Sequence, residues 1–413
     1  MRIAILFDNF GPYHVARLSA VGYEIDVLGV EFFSKSKVYD WERPNLPKKF
    51  SHRILFRSQK SSKVNWNLTL IALENNISPF KPDAIAIPGW SSPTAIVATH
   101  WAKKHHIPVI LMSESNSMDF RRKSIVEYVK KLFVAQFSSA FCGSDLQKEY
   151  LIKLGIQDSS IFIGYNAIDN EYYSNYAKNL QKNKTLPRLN KEKLLDEKYY
   201  KNYFLTSARF IPKKNILRLL DAYSIYQLNT NNNKEPWPLI ILGDGEMRQQ
   251  VEKKIEELNI EKFVYLVGFR QYNELPTFYA AAGAFILAST TEQWGLVINE
   301  AMASGLPILV SNRVGCSKAL ISEAINGYTF DPYNIEDISN KMNIIANCNH
   351  LKKMGGASQE IIFEWGTQRF AKGITDSVKH AMFNSKLDYP FSSFLVNKLF
   401  YFLHIFRAYL NIK

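Results

Sequence analysis

The 413-residue sequence predicts an α/β protein built from two doubly wound domains in tandem. Two observations carry that prediction. Short, continuous runs of Ile, Val, Leu and Phe recur with helix-like stretches between them, the pattern of parallel strands covered on both faces. The alternation also stops once, over residues 178–202, where eight Lys/Arg stand against three acids, and then resumes. At ~100–200 residues per domain the length accommodates two units with ample core.

In the first half the strand candidates are RIAILF (2–7), EIDVLGV (24–30), DAIAIP (83–88), PVILMS (108–113), SAFCGS (139–144) and IFIGY (161–165). Between them, TAIVATHWAKKHH and SIVEYVKKLFVAQF carry apolar residues at helical spacing. The second half repeats the scheme with YFLTSA (203–208), PLIILGDG (238–245), VYLVGF (264–269), AFILAST (284–290) and PILVSN (307–312). The expected division is a first domain at 1–177, a solvated linker or insertion at 178–202 and a second domain at 203–365. A C-terminal helical segment, 366–413, completes the first domain. Ligands of such sheets bind beyond the carboxyl ends of the strands, so the expected site lies in a cleft between two facing sheets.

Composition narrows the function. With 46% hydrophobic and 14% aromatic residues the chain is neither disordered nor collagen-like. Cys142, Cys316 and Cys348 are too few and too scattered for a disulfide scaffold, and no Cys/His cluster has zinc spacing. A six-residue apolar run before Asp8 is too short for a signal peptide, and no run reaches the ~18 apolar residues of a spanning helix. The expectation is a cytoplasmic protein, at most peripheral to a membrane. The net charge of +13 admits nucleic acid, an anionic membrane or a phosphorylated small molecule as partner. Nucleic acid is disfavoured, because no recognition module is present and the aromatics fall within predicted core elements.

The chemistry concentrates in 290–330. Gly295 lies in a strand-to-helix turn, and a helix starting near Leu296 would offer the amides around Gly295, Leu296 and Val297, with its positive end, to a phosphate. Glu292 precedes that helix and Glu300 lies within it, eight positions on. A glutamate so placed can accept paired hydrogen bonds from ribose hydroxyls. Equally, Glu292 reads as a capping carboxylate and Glu300 as a solvated face. Arg209 and Lys214, five apart, supply fixed positive charge for a diphosphate, unless they are surface charge. Gly243 and Gly245 flank Asp244 directly after a strand, where close backbone approach demands glycine or an ordinary turn uses it. Gly11, in the first strand-to-helix loop, occupies a phosphate-facing position.

The run Glu292-x7-Glu300 with Trp294-Gly295-Leu296, continuing through Ala301-Met302-Ala303-Ser304-Gly305-Leu306-Pro307, resembles the signature of retaining glycosyltransferases of family 4. These are GT-B enzymes that use nucleotide-diphosphate sugars. Ser207-Ala208-Arg209-Phe210 with Lys213-Lys214-Asn215 resembles the family's phosphate-binding Arg and Lys. Gly243-Asp244-Gly245-Glu246 resembles its glycine turn. Val267-Gly268-Phe269-Arg270 resembles the segment whose backbone holds the base. The resemblance covers about 203–330 well and the first half loosely, through FDNFGPYHVARL and GYNAIDNEYY.

It implies a GT-B fold and transfer of a sugar, with retention, to a glycan or lipid-linked acceptor in surface polysaccharide synthesis. Arg209, Lys214 and Glu292 would act at the reacting centre, with Glu300, Gly243, Phe269, Arg270 and the helix start binding the donor. No cofactor or metal is expected: no Asp-x-Asp triplet occurs, and Arg and Lys can stand in for a cation. The family often places a histidine after the strand corresponding to PVILMS; here Glu114-Ser115-Asn116 follows instead. Glu114 and His14 are therefore the acceptor-side candidates, with Arg17 beside them, although Glu114 equally reads as paired with Arg121 or Arg122. Rival readings are an inactive GT-B subunit of a glycosylation complex and a GT-B sugar-nucleotide epimerase. Arg121, Arg122, Lys123, Lys130 and Lys131, with the aromatic and basic tail from Phe391, read either as contact with an anionic membrane or as a solvated face and a tail docked on its own domain.

Overall fold

The computed structural model describes the chain apart from residues 35–40, 58–64, 120–123, 184–186, 190–192, 194, 231–233, 386–390 and 410–413. It divides into two compact units, 1–167 with 367–413, and 168–366. In the first, β1 (Arg2–Phe7) leads through α1 (Pro12–Val21) to β2 (Asp26–Phe33) and β3 (Ser51–Phe56). Then come α2 (Trp66–Ile77), β4 (Ala84–Pro88), α3 (Pro93–Lys104), β5 (Val109–Ser113), α4 (Ser124–Val134), β6 (Ser139–Cys142), α5 (Asp145–Lys153) and β7 (Ile161–Ile163). All pair in parallel in the order β3-β2-β1-β4-β5-β6-β7. The central strands are buried on both faces, which is why they read as unbroken apolar runs.

The second unit opens with α6 (Asn170–Asn183). It continues through β8 (Phe204–Ser207), α7 (Ile216–Leu228), β9 (Leu239–Leu242), α8 (Arg248–Glu257), β10 (Val264–Gly268), α9 (Leu275–Ala281) and β11 (Ala284–Leu287). α10 (Leu296–Ala303), β12 (Ile308–Ser311), α11 (Ser317–Leu320), β13 (Gly327–Phe330), α12 (Ile335–Ala346) and α13 (Leu351–Phe363) complete it. Its sheet order is β10-β9-β8-β11-β12-β13. The chain then rejoins the first unit through α14 (Thr367–Phe383) and α15 (Phe391–Tyr409). α14 covers one face of the first sheet with Phe370, Ile374 and Val378.

Two expectations change. The 178–202 segment is no solvated linker: α6 runs through its start, and Leu180, Leu189, Leu195 and Tyr199 are buried. Those four side chains anchor an otherwise polar stretch, and Leu195 N donates to Pro187 O at 3.0 Å. Consequently the first unit ends at Ala167 rather than residue 177, and the second starts at Ile168 rather than residue 203.

Candidate active site

Strand order reverses between β8 and β11 in the second unit and between β1 and β4 in the first, so adjacent loops diverge there and open a crevice beyond the strand ends. In the second unit the loop after β8 carries Arg209, Lys213 and Lys214. It is stitched to the loop after β11 by Thr290 N donating to Lys213 O at 2.9 Å. Asn215, in the left-handed region at φ 59°, donates its side-chain amide to Ala288 O at 3.0 Å and Pro332 O at 2.8 Å. That cross-link fixes where the two lysines begin. Sequence reasoning saw Asn215 only as part of a quoted motif.

Glu292 is held from below by Gly315 N, which donates to its carbonyl at 2.9 Å. Its carboxylate forms an ion pair with Lys214 Nζ, while Lys213 Nζ lies 3.9 Å from the other oxygen. Burial depresses the Lys214 pKa, Glu292 opposes that shift, and the nearby Lys213 and Arg209 charges reinforce it. Two lysines thus face one carboxylate, with the Arg209 charge felt at Lys214, a surplus of positive charge suited to a polyanion. Glu292 is not the plain helix cap it could have been, since Gly295 is the cap residue of α10.

Gly295 adopts φ 100°, and a Cβ there would stand 3.2 Å from Val314 Cγ1. The turn it permits leaves the amides of Leu296 and Val297 without intrahelical acceptors, at the positive end of α10. Trp294 anchors the turn from inside, its indole donating to Asn299 Oδ1 at 2.9 Å. Glu300 is completely buried rather than on a solvated face, and accepts from the Tyr279 hydroxyl at 2.5 Å. Tyr173 packs edge-on against both Tyr279 and Tyr272, and Tyr272 stacks on Tyr172 at 5.1 Å. This tyrosine cluster escaped the sequence reading. Its only trace was the clustering of Tyr in NEYY and QYNELPTFY.

Gly243 at φ 123° lies so near the preceding loop that a Cβ would fall 2.0 Å from Ala208 O. Its amide donates to Gly268 O at 2.9 Å, and Asp244 O accepts from Phe210 N at the same distance. The glycine turn therefore seats the Arg209 loop between β8 and β10. Phe269 is more than a third exposed. Arg270 is tied to its own unit by Leu189 O at 3.2 Å and by Glu274 at 3.9 Å.

In the first unit, Gly11 precedes α1, and its amide donates to His14 Nδ1 at 3.0 Å. Trp41 covers Gly11, within 3.2 Å of where a Cβ would be. Burial, then the Arg17 charge, pull the His14 pKa down to about 3. The imidazole is therefore neutral, and with Nδ1 accepting, its proton sits on Nε2. Arg17 is buried, donates through Nε to Ala167 O at 2.8 Å, and lies over Tyr165 and Phe370. Glu114, beyond β5, belongs to the electrostatic surroundings of Arg17 and Tyr165. Arg121 and Arg122, its alternative partners, lie outside the described residues. Glu31, missed in the sequence, fixes the loop after β1: Oε2 accepts from Phe10 N at 2.8 Å, and Oε1 meets His52 at 2.6 Å.

Residues 188–360 match the family model "Glycosyl transferases group 1". Among curated proteins, the chain is 29% identical to UDP-Gal:alpha-D-GlcNAc-diphosphoundecaprenol alpha-1,3-galactosyltransferase of Escherichia coli, over 61% of this chain and 64% of that one. It is 33% identical to O-antigen chain mannosyltransferase B of Escherichia coli, over 37% of this chain and 38% of that one. The chain thus spans less than two thirds of either relative's length. Among solved structures, HepE of Anabaena in complex with UDP and glucose superposes with a TM-score of 0.64 at 18% identity, over 92% of this chain and 99% of that one. The trehalose-6-phosphate structure from E. coli with UDP-2-fluoro glucose gives 0.70 at 9% identity, over 92% of this chain and 99% of that one. These likenesses carry the fold, and the segment 188–360 carries the signature. Residues 188–360 thus resemble the glycosyl transferases group 1 family, and the chain has a two-domain α/β fold of the GT-B type.

Proposed function

We propose that this chain is a glycosyltransferase that moves a sugar from a nucleotide-diphosphate sugar to a glycan or lipid-linked acceptor, with retention at the anomeric carbon and without a metal. The observation that carries the reading is the pairing of Lys213 and Lys214 with Glu292, with the Arg209 charge acting on Lys214, in the loops around the start of α10. A diphosphate leaving group develops charge as the glycosidic bond breaks. Fixed cations, helix amides and the helix dipole stabilise that charge without reorganising. Glu300 would hold the ribose through carboxylate oxygens, oriented by Tyr279, and the exposed Phe269 would lie along the base. Glu292 would steady the sugar ring as positive charge grows on it. In a front-side route the leaving phosphate takes the acceptor proton, so no nucleophile–acid carboxylate pair is needed. His14, a neutral Nε2–H donor, and Glu114 are the groups assigned to the acceptor.

The relatives' substrates point the same way: one acts on a sugar linked to diphosphoundecaprenol, and the other is a mannosyltransferase of an O-antigen chain. Surface polysaccharide synthesis fits both. The deciding experiment is a thermal-shift panel of UDP-, GDP-, ADP- and TDP-sugars, followed by assay of nucleoside diphosphate release and NMR of the product anomer. Stabilisation by at least one sugar nucleotide, with its slow hydrolysis, is expected. No stabilisation by any of the four would overturn the reading and favour an inactive partner subunit.

A further inference from the structure

Beyond the carboxyl end of β1, the first unit holds an aromatic side chain that the donor reading leaves unused. Trp41 sits on the turn that follows the strand. Cε3 and Cζ3 of its indole lie 3.2 and 3.3 Å from where a Cβ of Gly11 would be, and Tyr13 meets the ring edge-on at 5.4 Å. Only a residue without a side chain lets the indole come so near the backbone. The seat is pinned from the other side as well. Two residues on, Arg43 donates to Glu31 Oε1 at 2.5 Å, and Glu31 is itself buried and holds Phe10 N. Trp41 is nonetheless only half-buried. An indole fixed in this way offers a large apolar surface at little further entropic cost.

The polar groups about the turn are mixed in kind. His14 takes the Gly11 amide at Nδ1, so its proton is a donor at Nε2. Arg17 lies three residues further along the same face of α1. It is buried, and its Nη2 has no hydrogen-bond partner among the described residues. Glu114, Tyr165 and Tyr13 make up the electrostatic surroundings of that guanidinium.

This inventory separates the classes of acceptor. A phosphate calls for a surplus of cations. Around Tyr165, however, Arg17 stands against two carboxylates, Glu114 and Asp8, and burial keeps His14 uncharged. A lipid tail would leave the unpaired Arg17 N–H facing hydrocarbon. A pyranose suits both halves of the site. It has a face of C–H bonds for an aromatic ring, and a rim of hydroxyls that each give and accept hydrogen bonds.

We propose that the acceptor presents a neutral pyranose unit that stacks on Trp41 and is oriented by Arg17 and His14. The inference rests on the glycosyltransferase reading and narrows its acceptor. All of these residues belong to the first unit, so it can fail while the donor reading stands.

The test is saturation-transfer NMR of the full chain with the methyl pyranosides of glucose, galactose, mannose and N-acetylglucosamine, beside glycerol phosphate and dihexanoylglycerol. At least one pyranoside should receive saturation, mainly at the C–H groups of one ring face, and bind more tightly than either other probe. Trp41→Ala should weaken that binding roughly ten-fold, and Trp41→Phe should restore most of it. Glu292→Ala, on the donor side, should leave it in place. Both Trp41 variants should keep the melting curve and the sugar-nucleotide response of the wild type. No pyranoside signal from the wild type, equal binding by Trp41→Ala, loss in Glu292→Ala alone, or a preference for glycerol phosphate or dihexanoylglycerol would overturn the proposal. Loss of the sugar-nucleotide response in the wild type would instead remove the reading on which it rests.

Discussion

The Tyr279 hydroxyl donates to Glu300 at 2.5 Å, and neither side chain is exposed to solvent. Burial beside that carboxylate holds the phenol pKa well above its ordinary value, so Tyr279 remains a donor throughout the working pH range. Tyr279→Phe keeps the ring and deletes the bond. The expected cost is about 1–3 kcal/mol, divided between stability and donor affinity. Glu300→Ala should weaken donor binding more than it slows the bound complex. Isothermal titration with the preferred sugar nucleotide, beside a melting curve, checks both; unchanged affinity in both variants would remove Glu300 from the ribose.

Lys214 and Glu292 test the reacting centre. Lys214→Ala leaves a partly buried carboxylate without its strongest partner, so binding and turnover should both fall, by about ten- to a thousand-fold in kcat/KM. Glu292→Ala should lower kcat more than it raises KM. Steady-state kinetics separates the two, and wild-type turnover in either variant contradicts the assignment.

Two glycines make a matched stability pair. Gly243→Ala drives a Cβ onto Ala208 O and keeps a positive φ, so the loss should exceed about 2 kcal/mol and displace the Arg209 loop. Gly268 has φ 83° but open space about it, and its alanine variant should lose only the backbone term, about 1–2 kcal/mol. Urea unfolding of both variants reads the difference directly.

His14 and His100 give the stability profile a sign. Burial holds His14 near 3 and His100 near 4, against 6.5 in the unfolded chain. Between those values the unfolded chain binds more protons, so stability falls as pH drops below about 6.5. The slope for each histidine is at most about 1.4 kcal/mol per pH unit. Urea melts of wild type and His14→Gln at pH 7.5 and 5.5 should show a shallower decline in the variant. A decline as steep as wild type would show that His14 protonates freely when folded.

If the three cations suffice for the diphosphate, transfer should survive an excess of EDTA. A loss restored by Mg2+ or Mn2+ would reassign that charge to a metal.

The strands buried on both faces were legible in the sequence because their apolar runs are continuous. β1 is read at the residues observed, and the other core strands begin or end within a few residues of their predicted limits. β3 and β13 were missed. Both are edge strands, and Ser51–Phe56 and Gly327–Phe330 are only partly buried, so no unbroken run announces them. Glu292 and Glu300 could be picked out by spacing, but their surroundings could not. Lys214 and Glu292 are 78 positions apart and Tyr279 and Glu300 are 21, separations that no local periodicity encodes. Segment 178–202 was misjudged because its few buried leucines are diluted by lysine and asparagine.

The division of the chain also dictates an order of assembly during synthesis. The second unit is continuous from 168 to 366 and has everything it needs once residue 366 leaves the ribosome. The first unit emerges earlier yet waits longer. Phe141 has no Phe370 to pack against until α14 appears, and Gln136 has no Asn397 until α15 does. The half synthesised first is thus the half finished last, and a ribosome that stops short of the C-terminus releases an open first sheet beside a complete second unit.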